Sequence, residues 1–162
     1  MSIKPGATKS AKKYYETFYV GEEGTQYFIK PLSFNNEDSN EKFLLDITFR
    51  YKKVVKDSSK LNFSIKSSQQ LFKSIDSLKI SNDHHDILSD DIDLLFNEKK
   101  NDEFLSRFNT QIPLKNTHQL FDNNNWKFTI YSEKDKLNFK PTNKTQKAIK
   151  ALRDDVFSIM YE

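Results

Sequence analysis

The chain has 162 residues, which is long enough for one domain with a substantial core, and it contains no apolar run long enough to cross a bilayer. Cysteine is absent, which excludes disulfides, thiolate metal sites and cysteine nucleophiles. The net charge of +3, from 26 basic and 23 acidic residues, is too small to indicate a nucleic-acid-binding protein by itself.

The N-terminal residues are basic and lack the apolar segment of a secretory signal peptide. We therefore predict a flexible basic tail at 1–13, followed by a single domain at 14–162. The expected location is intracellular and cytoplasmic, with a nuclear location open for a eukaryotic protein.

Two runs rich in aromatic residues, YYETFYV and TQYFIKPLSF, flank a short connection at Gly21–Gly24. Such runs around a glycine-bounded turn predict a β-hairpin. Pro31 lies in the second strand and has no N–H to donate, so that strand is expected to be an edge or to bend there.

Strict alternation of apolar and polar residues predicts four further strands with one face buried and the other partly exposed to water. These strands cover residues 43–51, 61–66, 126–131 and 137–140. Together with the hairpin they predict a mostly antiparallel sheet of about six strands.

Apolar residues at helical spacing predict helices at 71–78 and 87–96, a short helix at 104–108, and a last helix from about Asn143 to Ile159. Strands followed by blocks of helices are typical of α+β domains. The expected fold is therefore a two-layer α+β domain with the helices packed on one face of the sheet.

The four residues KLNF occur at 60–63 and again at 136–139. Each copy follows an alternating strand and precedes a predicted helix, so a strand–turn–strand–helix repeat at 43–79 and 126–160 is one interpretation. Chance recurrence of an ordinary half-buried strand explains the same pattern, and KLNF is not interpreted as a catalytic motif.

Few residues indicate catalysis or cofactor binding. Walker-type loops, GxGxxG and GxSxG are all missing, and we expect no cofactor and no catalytic site. His84, His85 and Asp86 are weak candidates for a metal site, since adjacent histidines on a helix point in different directions. The alternative is that Asn82 or Asp83 caps the start of a helix.

The tyrosine-rich hairpin is the leading candidate for a binding surface. Tyrosines near an exposed strand edge suit protein binding or strand addition. We predict that Tyr15, Tyr19, Tyr27 and Lys30 bind another protein. The chain is then a non-catalytic interaction module, a small subunit or adaptor of a larger assembly with no membrane partner.

Uneven charge supports an alternative hypothesis, in which the module binds nucleic acid. Residues 46–75 carry a net charge of +5, residues 76–110 carry −5 and residues 111–162 carry +3. The last helix, with Thr142 or Asn143 as its N-cap, begins among lysines that a bound anion would neutralise. The lysines predicted to contact phosphates are Lys52, Lys53, Lys56, Lys144, Lys147 and Lys150.

Overall fold

The computed structural model describes residues 12–52, 58–133 and 135–160. More than half of these residues lie in strands, and the ten antiparallel strands among them form one sheet that curls into a half-barrel. The predicted two-layer α+β fold with about six strands is therefore wrong. No described helix is long and apolar enough to span a membrane.

The elements are distributed along the whole described chain. The strands are β1 Tyr15–Tyr19, β2 Thr25–Asn36, β3 Lys42–Tyr51, β4 Ser58–Ser67, β5 Ser77–Ser81, β6 Asp86–Ser89, β7 Asp93–Lys100, β8 Glu103–Pro113, β9 Lys127–Ser132 and β10 Asp135–Pro141. The helices are α1 Leu114–Leu120 and α2 Asn143–Asp155, with short 3-10 turns at Gly21–Glu23 and Phe157–Ile159.

The order of strands across the sheet is β6-β5-β9-β10-β2-β3-β4-β8-β7. β2 pairs with β3 along most of one edge. Its opposite edge is shared, because β1 pairs with residues 25–29 and β10 pairs with residues 34–36. The shared edge leaves a short gap between β1 and β10, and the start of α2 lies in that gap.

Thr145 closes the gap with its side chain. Its Oγ1 accepts a hydrogen bond from the Ser33 N–H at 3.0 Å and donates one to the Ser33 carbonyl at 2.7 Å. The Thr142 N–H also donates to that carbonyl, at 3.3 Å. A threonine hydroxyl thus replaces the backbone partners that a neighbouring strand would supply.

The predicted last helix is confirmed as α2, and Thr142 is its N-cap, since its side chain accepts from the Thr145 N–H. The buried face of α2 consists of Thr145, Ala148, Ile149 and Leu152. The helix ends at Asp155, before the predicted Ile159. Helix α1 was not predicted, because KNTHQLFD is short and polar and has no strong apolar stripe.

The predicted hairpin is confirmed as β1 and β2, joined by the turn at Gly21–Gly24. Gly24 has φ of +95°, and a Cβ there would overlap the Tyr51 carbonyl oxygen, so glycine is required. The pairing of β2 with β3 shifts between Ile29 and Leu32, which confirms the bend expected at Pro31.

The other predicted helices are wrong. The segment 71–76 is coil that leads into β5, residues 86–100 contain β6 and β7, and 104–108 belongs to β8. Within β6, Ile87 is buried and Leu88 is 70% exposed, which is the two-residue period of a strand. These apolar runs were too short to separate a helical from an extended period.

The core lies on the inner face of the curled sheet and is rich in aromatic side chains. Trp126 is buried, and its Nε1 donates to the Leu120 carbonyl at 2.7 Å, which ties the core to the end of α1. The largest fully buried side chains are Trp126, Phe34, Phe43, Phe49, Phe63, Phe108, Phe121, Phe128, Phe139, Phe157, Ile29 and Leu45.

Both KLNF copies lie in the second strand of a hairpin, β3–β4 and β9–β10. Leu61, Phe63 and Phe139 are buried, and Leu137 is half-buried. A helix follows only the second copy, since coil and β5 follow the first. Each of the two predicted repeat units thus contains a hairpin, and internal duplication stays a prediction.

Candidate functional site

Strand β1 is an edge strand with an identifiable outer side. The Lys30 N–H donates to the Tyr14 carbonyl at 2.9 Å, and the Val20 N–H donates to the Gly24 carbonyl at 3.0 Å. Both bonds belong to the β1–β2 register, so the even-numbered residues of β1 face β2. The N–H and C=O groups of Tyr15, Thr17 and Tyr19 therefore point away from β2.

Within 12–52, 58–133 and 135–160, β1 pairs with β2 alone. Two of its three aromatic side chains are unusually accessible: Phe18 is 52% and Tyr19 is 82% exposed. Because successive side chains of a strand point to opposite faces, one aromatic ring lies on each face of this edge. We call residues 15–19 the β1 edge.

Tyr15 and Tyr27 are half-buried and hold the hairpin against the rest of the fold. The Tyr15 hydroxyl donates to Asp155 Oδ2 at 2.7 Å, and the rings of Tyr15 and Tyr27 lie 6.1 Å apart. The Tyr27 ring also stacks on Phe49 at 5.1 Å. Burial raises the pKa of both phenols above its usual value, and the hydrogen bond to Asp155 raises the pKa of Tyr15 further.

The four residues predicted to bind a partner are therefore close in the sheet but differ in role. Tyr19 is exposed, and Lys30 makes a loose ion pair with Glu16 at 3.9 Å. The side chains of Tyr15 and Tyr27 are already engaged in contacts within the protein. Phe18, which was not among the residues predicted to bind a partner, is also accessible on this hairpin.

The predicted phosphate-binding lysines are not all described. Lys144, Lys147 and Lys150 are exposed along α2, and Lys52 is half-buried beside the hairpin turn. Lys53 and Lys56 lie outside the described residues. The first turn of α2 contains no acidic side chain, so its positive end meets lysines rather than carboxylates.

His84 and His85 lie in the turn between β5 and β6, so the predicted helix start at this point is wrong. Asn82 organises the turn: its Oδ1 accepts from the N–H groups of His84 at 2.9 Å and His85 at 2.8 Å. Asp86 lies 3.9 Å from Lys79 as an ion pair. No group of three potential ligands that could hold a metal ion exists among the described residues.

Strand β7 is a second exposed edge, which sequence reasoning missed by assigning it to a helix. Leu94, Leu95 and Phe96 are 42%, 51% and 43% exposed. A register shift between Leu94 and Phe96 interrupts the strand, and Lys99 and Lys100 follow. Bulges and lysines are features that protect edges from pairing, and β1 has neither.

A polar network crosses the outer face of β3, β4 and β8. The buried carboxylate of Asp46 accepts from Arg107 Nη2 at 2.8 Å and from Asn62 Nδ2 at 3.2 Å. Arg107 Nη1 donates to Ser64, and Asn109 Nδ2 donates to the Asn62 side chain. The charged groups satisfy one another, which indicates a structural clamp between strands rather than a reactive site.

Comparison of the chain with protein-family models, with curated proteins and with solved structures found no match. A fold alone does not specify a function, so function must be argued from surface geometry. Among the surfaces of the described residues, the β1 edge combines outward backbone groups with exposed aromatic rings.

Proposed function

We propose that the protein is a non-catalytic interaction module, a subunit or adaptor of a larger intracellular assembly, that binds an extended segment of another protein along the β1 edge. The supporting observation is that Tyr15, Thr17 and Tyr19 direct their backbone groups outward beside the exposed ring of Phe18. Strand addition of this kind uses main-chain hydrogen bonds for affinity and side-chain contacts for specificity.

The free energies of the individual contacts indicate which of them determine the affinity for a partner. Six main-chain bonds at about 1 kcal/mol net each offset only the lower part of the cost of association, which is about 4–15 kcal/mol. Burial of an aromatic side chain contributes about 1.5–3 kcal/mol more. The rings of Phe18 and Tyr19 are therefore expected to determine affinity, and the partner strand should carry apolar side chains on both of its faces.

The test is affinity capture of the tagged full-length protein from its own cells, with and without nuclease, read by mass spectrometry. Thr17→Pro removes an outward N–H, and proline is tolerated on an open edge. Leu88→Ala, at a 70% exposed position on β6, is the matched control. Partners that survive nuclease, disappear with Thr17→Pro and persist with Leu88→Ala are expected. Full retention by Thr17→Pro would contradict the proposal.

Nucleic-acid binding is the second candidate. It is supported by the exposed lysines of α2, Lys144, Lys147 and Lys150, in a helix whose first turn lacks acidic residues. Changing all three to glutamine should weaken binding to duplex DNA or RNA and reduce its dependence on salt concentration. Binding that does not change with salt would count against this candidate.

A further inference from the structure

The sequence of the β1 edge, YETFY, complements itself in an antiparallel pair centred on Thr17. In that pair Tyr15 lies opposite Tyr19 of a second copy, Glu16 opposite Phe18, and Thr17 opposite itself. We propose that a second copy of this chain occupies the β1 edge and forms a two-fold dimer with one continuous sheet. This inference rests on the edge identified under the proposed function, and a second copy bound there competes with the other protein for the same backbone groups.

Backbone geometry supports this register. Opposing residues in an antiparallel pair must both direct their N–H and C=O groups toward the other strand, or both away from it. Tyr15, Thr17 and Tyr19 all point outward, so the register centred on Thr17 satisfies every outward group of both copies. A shift of one residue would place outward groups against inward ones.

Shifts of two residues are also worse. A pair centred on Glu16 places two carboxylates directly opposite each other, which is unfavourable across strands. A pair centred on Phe18 leaves Tyr15 opposite Gly21, which is in the 3-10 turn and not extended. The centre at Thr17 instead gives two tyrosine pairs and one threonine pair, which are favourable cross-strand combinations.

Charge complementarity extends beyond the strand ends. A two-fold axis at Thr17 brings the start of one β1 to the end of the other. The exposed Lys12 and Lys13, which lie just before β1 of one copy, are then on the same side as the turn that carries the exposed Glu22 of the second copy. The contact occurs twice because of the symmetry, as expected for an isologous interface.

Strand β7, which is longer than the other end strand β6 and also carries an exposed aromatic ring, does not complement itself in this way. A β7 pair centred on Glu98 opposes two carboxylates, and one centred on Lys99 opposes two ammonium groups. Centres nearer Phe96 meet the register shift that follows Leu94. The comparison favours β1 as the self-associating edge and provides β7 as an internal control.

The experiment is sedimentation velocity of the full 162-residue chain over a hundredfold range of concentration. We expect the wild type to shift from monomer to dimer, Thr17→Pro to stay monomeric, and Phe96→Ala on β7 to behave like the wild type. Circular dichroism checks that each variant is folded. Should Thr17→Pro unfold, Thr17→Lys replaces it, because it places two ammonium groups face to face at the two-fold axis.

Charge reversal provides an independent readout. Lys12→Glu with Lys13→Glu should weaken the dimer at least tenfold, and adding Glu22→Lys should restore most of the loss. A wild type that stays monomeric throughout would overturn the dimer, as would a dimer that is indifferent to changes at position 17. In either case, partner capture that still depends on Thr17 would leave the proposed function standing. If Thr17→Pro abolishes the dimer but leaves partner capture unchanged, only the proposed function is rejected.

Discussion

Replacing Thr145 by valine tests the junction between α2 and the open part of the β2 edge. Valine keeps the shape of threonine but lacks its hydroxyl. The Ser33 N–H then loses its acceptor, whereas the Ser33 carbonyl keeps the N–H of Thr142 at 3.3 Å. Thr145 is 2% exposed, so water has little access to replace the lost hydroxyl.

The magnitude follows from one orphaned donor and one lost bond. A polar group left without a partner costs about 1–3 kcal/mol, and the lost bond to the carbonyl adds little because that carbonyl keeps the Thr142 N–H. We expect Thr145→Val to lower the free energy of unfolding by about 2 kcal/mol. For a chain of this size, that lowers Tm by about 4–8 °C.

The assay is urea unfolding followed by tryptophan fluorescence, with equal m-values required for the comparison. Thr145→Ser is the control, since it keeps the hydroxyl and removes only a buried methyl, at about 1 kcal/mol. A loss for Thr145→Val no larger than that for Thr145→Ser would refute the view that this hydroxyl substitutes for a strand.

Three further predictions concern stability. Asn82→Ala should lower the free energy of unfolding by about 1–3 kcal/mol in urea titrations. The Asn82 side chain closes the β5–β6 turn and also donates to two carbonyls at the end of α1. An unchanged urea midpoint would contradict this role. Arg107→Met should cost about 2–4 kcal/mol, because it leaves the carboxylate of Asp46 buried without its guanidinium, and adding Asp46→Asn should recover part of the loss in a double-mutant cycle. Folding raises the pKa of Tyr15 and Tyr27, so the unfolded chain releases the two phenol protons at lower pH than the folded chain does. The stability that these two phenols contribute is therefore complete below about pH 10 and is lost as pH rises toward their folded pKa values. Tyr15→Phe should therefore make the alkaline decline shallower by up to about one proton, and an unaltered slope would exclude the phenol as its source.

Local patterns in the sequence predicted the elements whose neighbours lie close in the chain. The β1–β2 hairpin, the bend at Pro31, helix α2 and the cap at Thr142 follow from turn, proline and capping chemistry within a few residues. The alternating stretches were correctly predicted as strands, because the period of two is clear in each of them and three of the four extend over six or more residues.

The number of strands was wrong because several strands owe their extended form to distant partners. The residues of β5 pair with β9, about fifty positions later, and the Phe72 N–H is held by the Ser106 side chain. Tertiary pairing of this kind overrides weak local periodicity, and the sequence of a short apolar run does not indicate which distant strand it pairs with. Two short strands, β6 and β7, were merged into one helical stripe although their partners β5 and β8 are adjacent in the chain, because their apolar residues do not alternate.

The candidate site was predictable only in part. The tyrosine content of the hairpin indicated a surface, and Tyr19 is exposed as expected. That Tyr15 is held by Asp155, 140 positions away, depends on where α2 ends and has no local signal. The outward direction of Thr17 depends on the hydrogen-bonding phase of the ladder, which becomes readable only once the partner strand is known.

The contact between Thr145 and Ser33 can form only late in the synthesis of the chain. The two residues are 112 positions apart, so a ribosome adding about 5–20 residues per second needs roughly 5–20 s to deliver the second after the first. Hairpins form in about 1–10 μs, so β2 and β3 can pair almost as soon as they emerge. The nascent chain thus carries an unfinished sheet edge for seconds, and any chaperone that protects it must act within that interval.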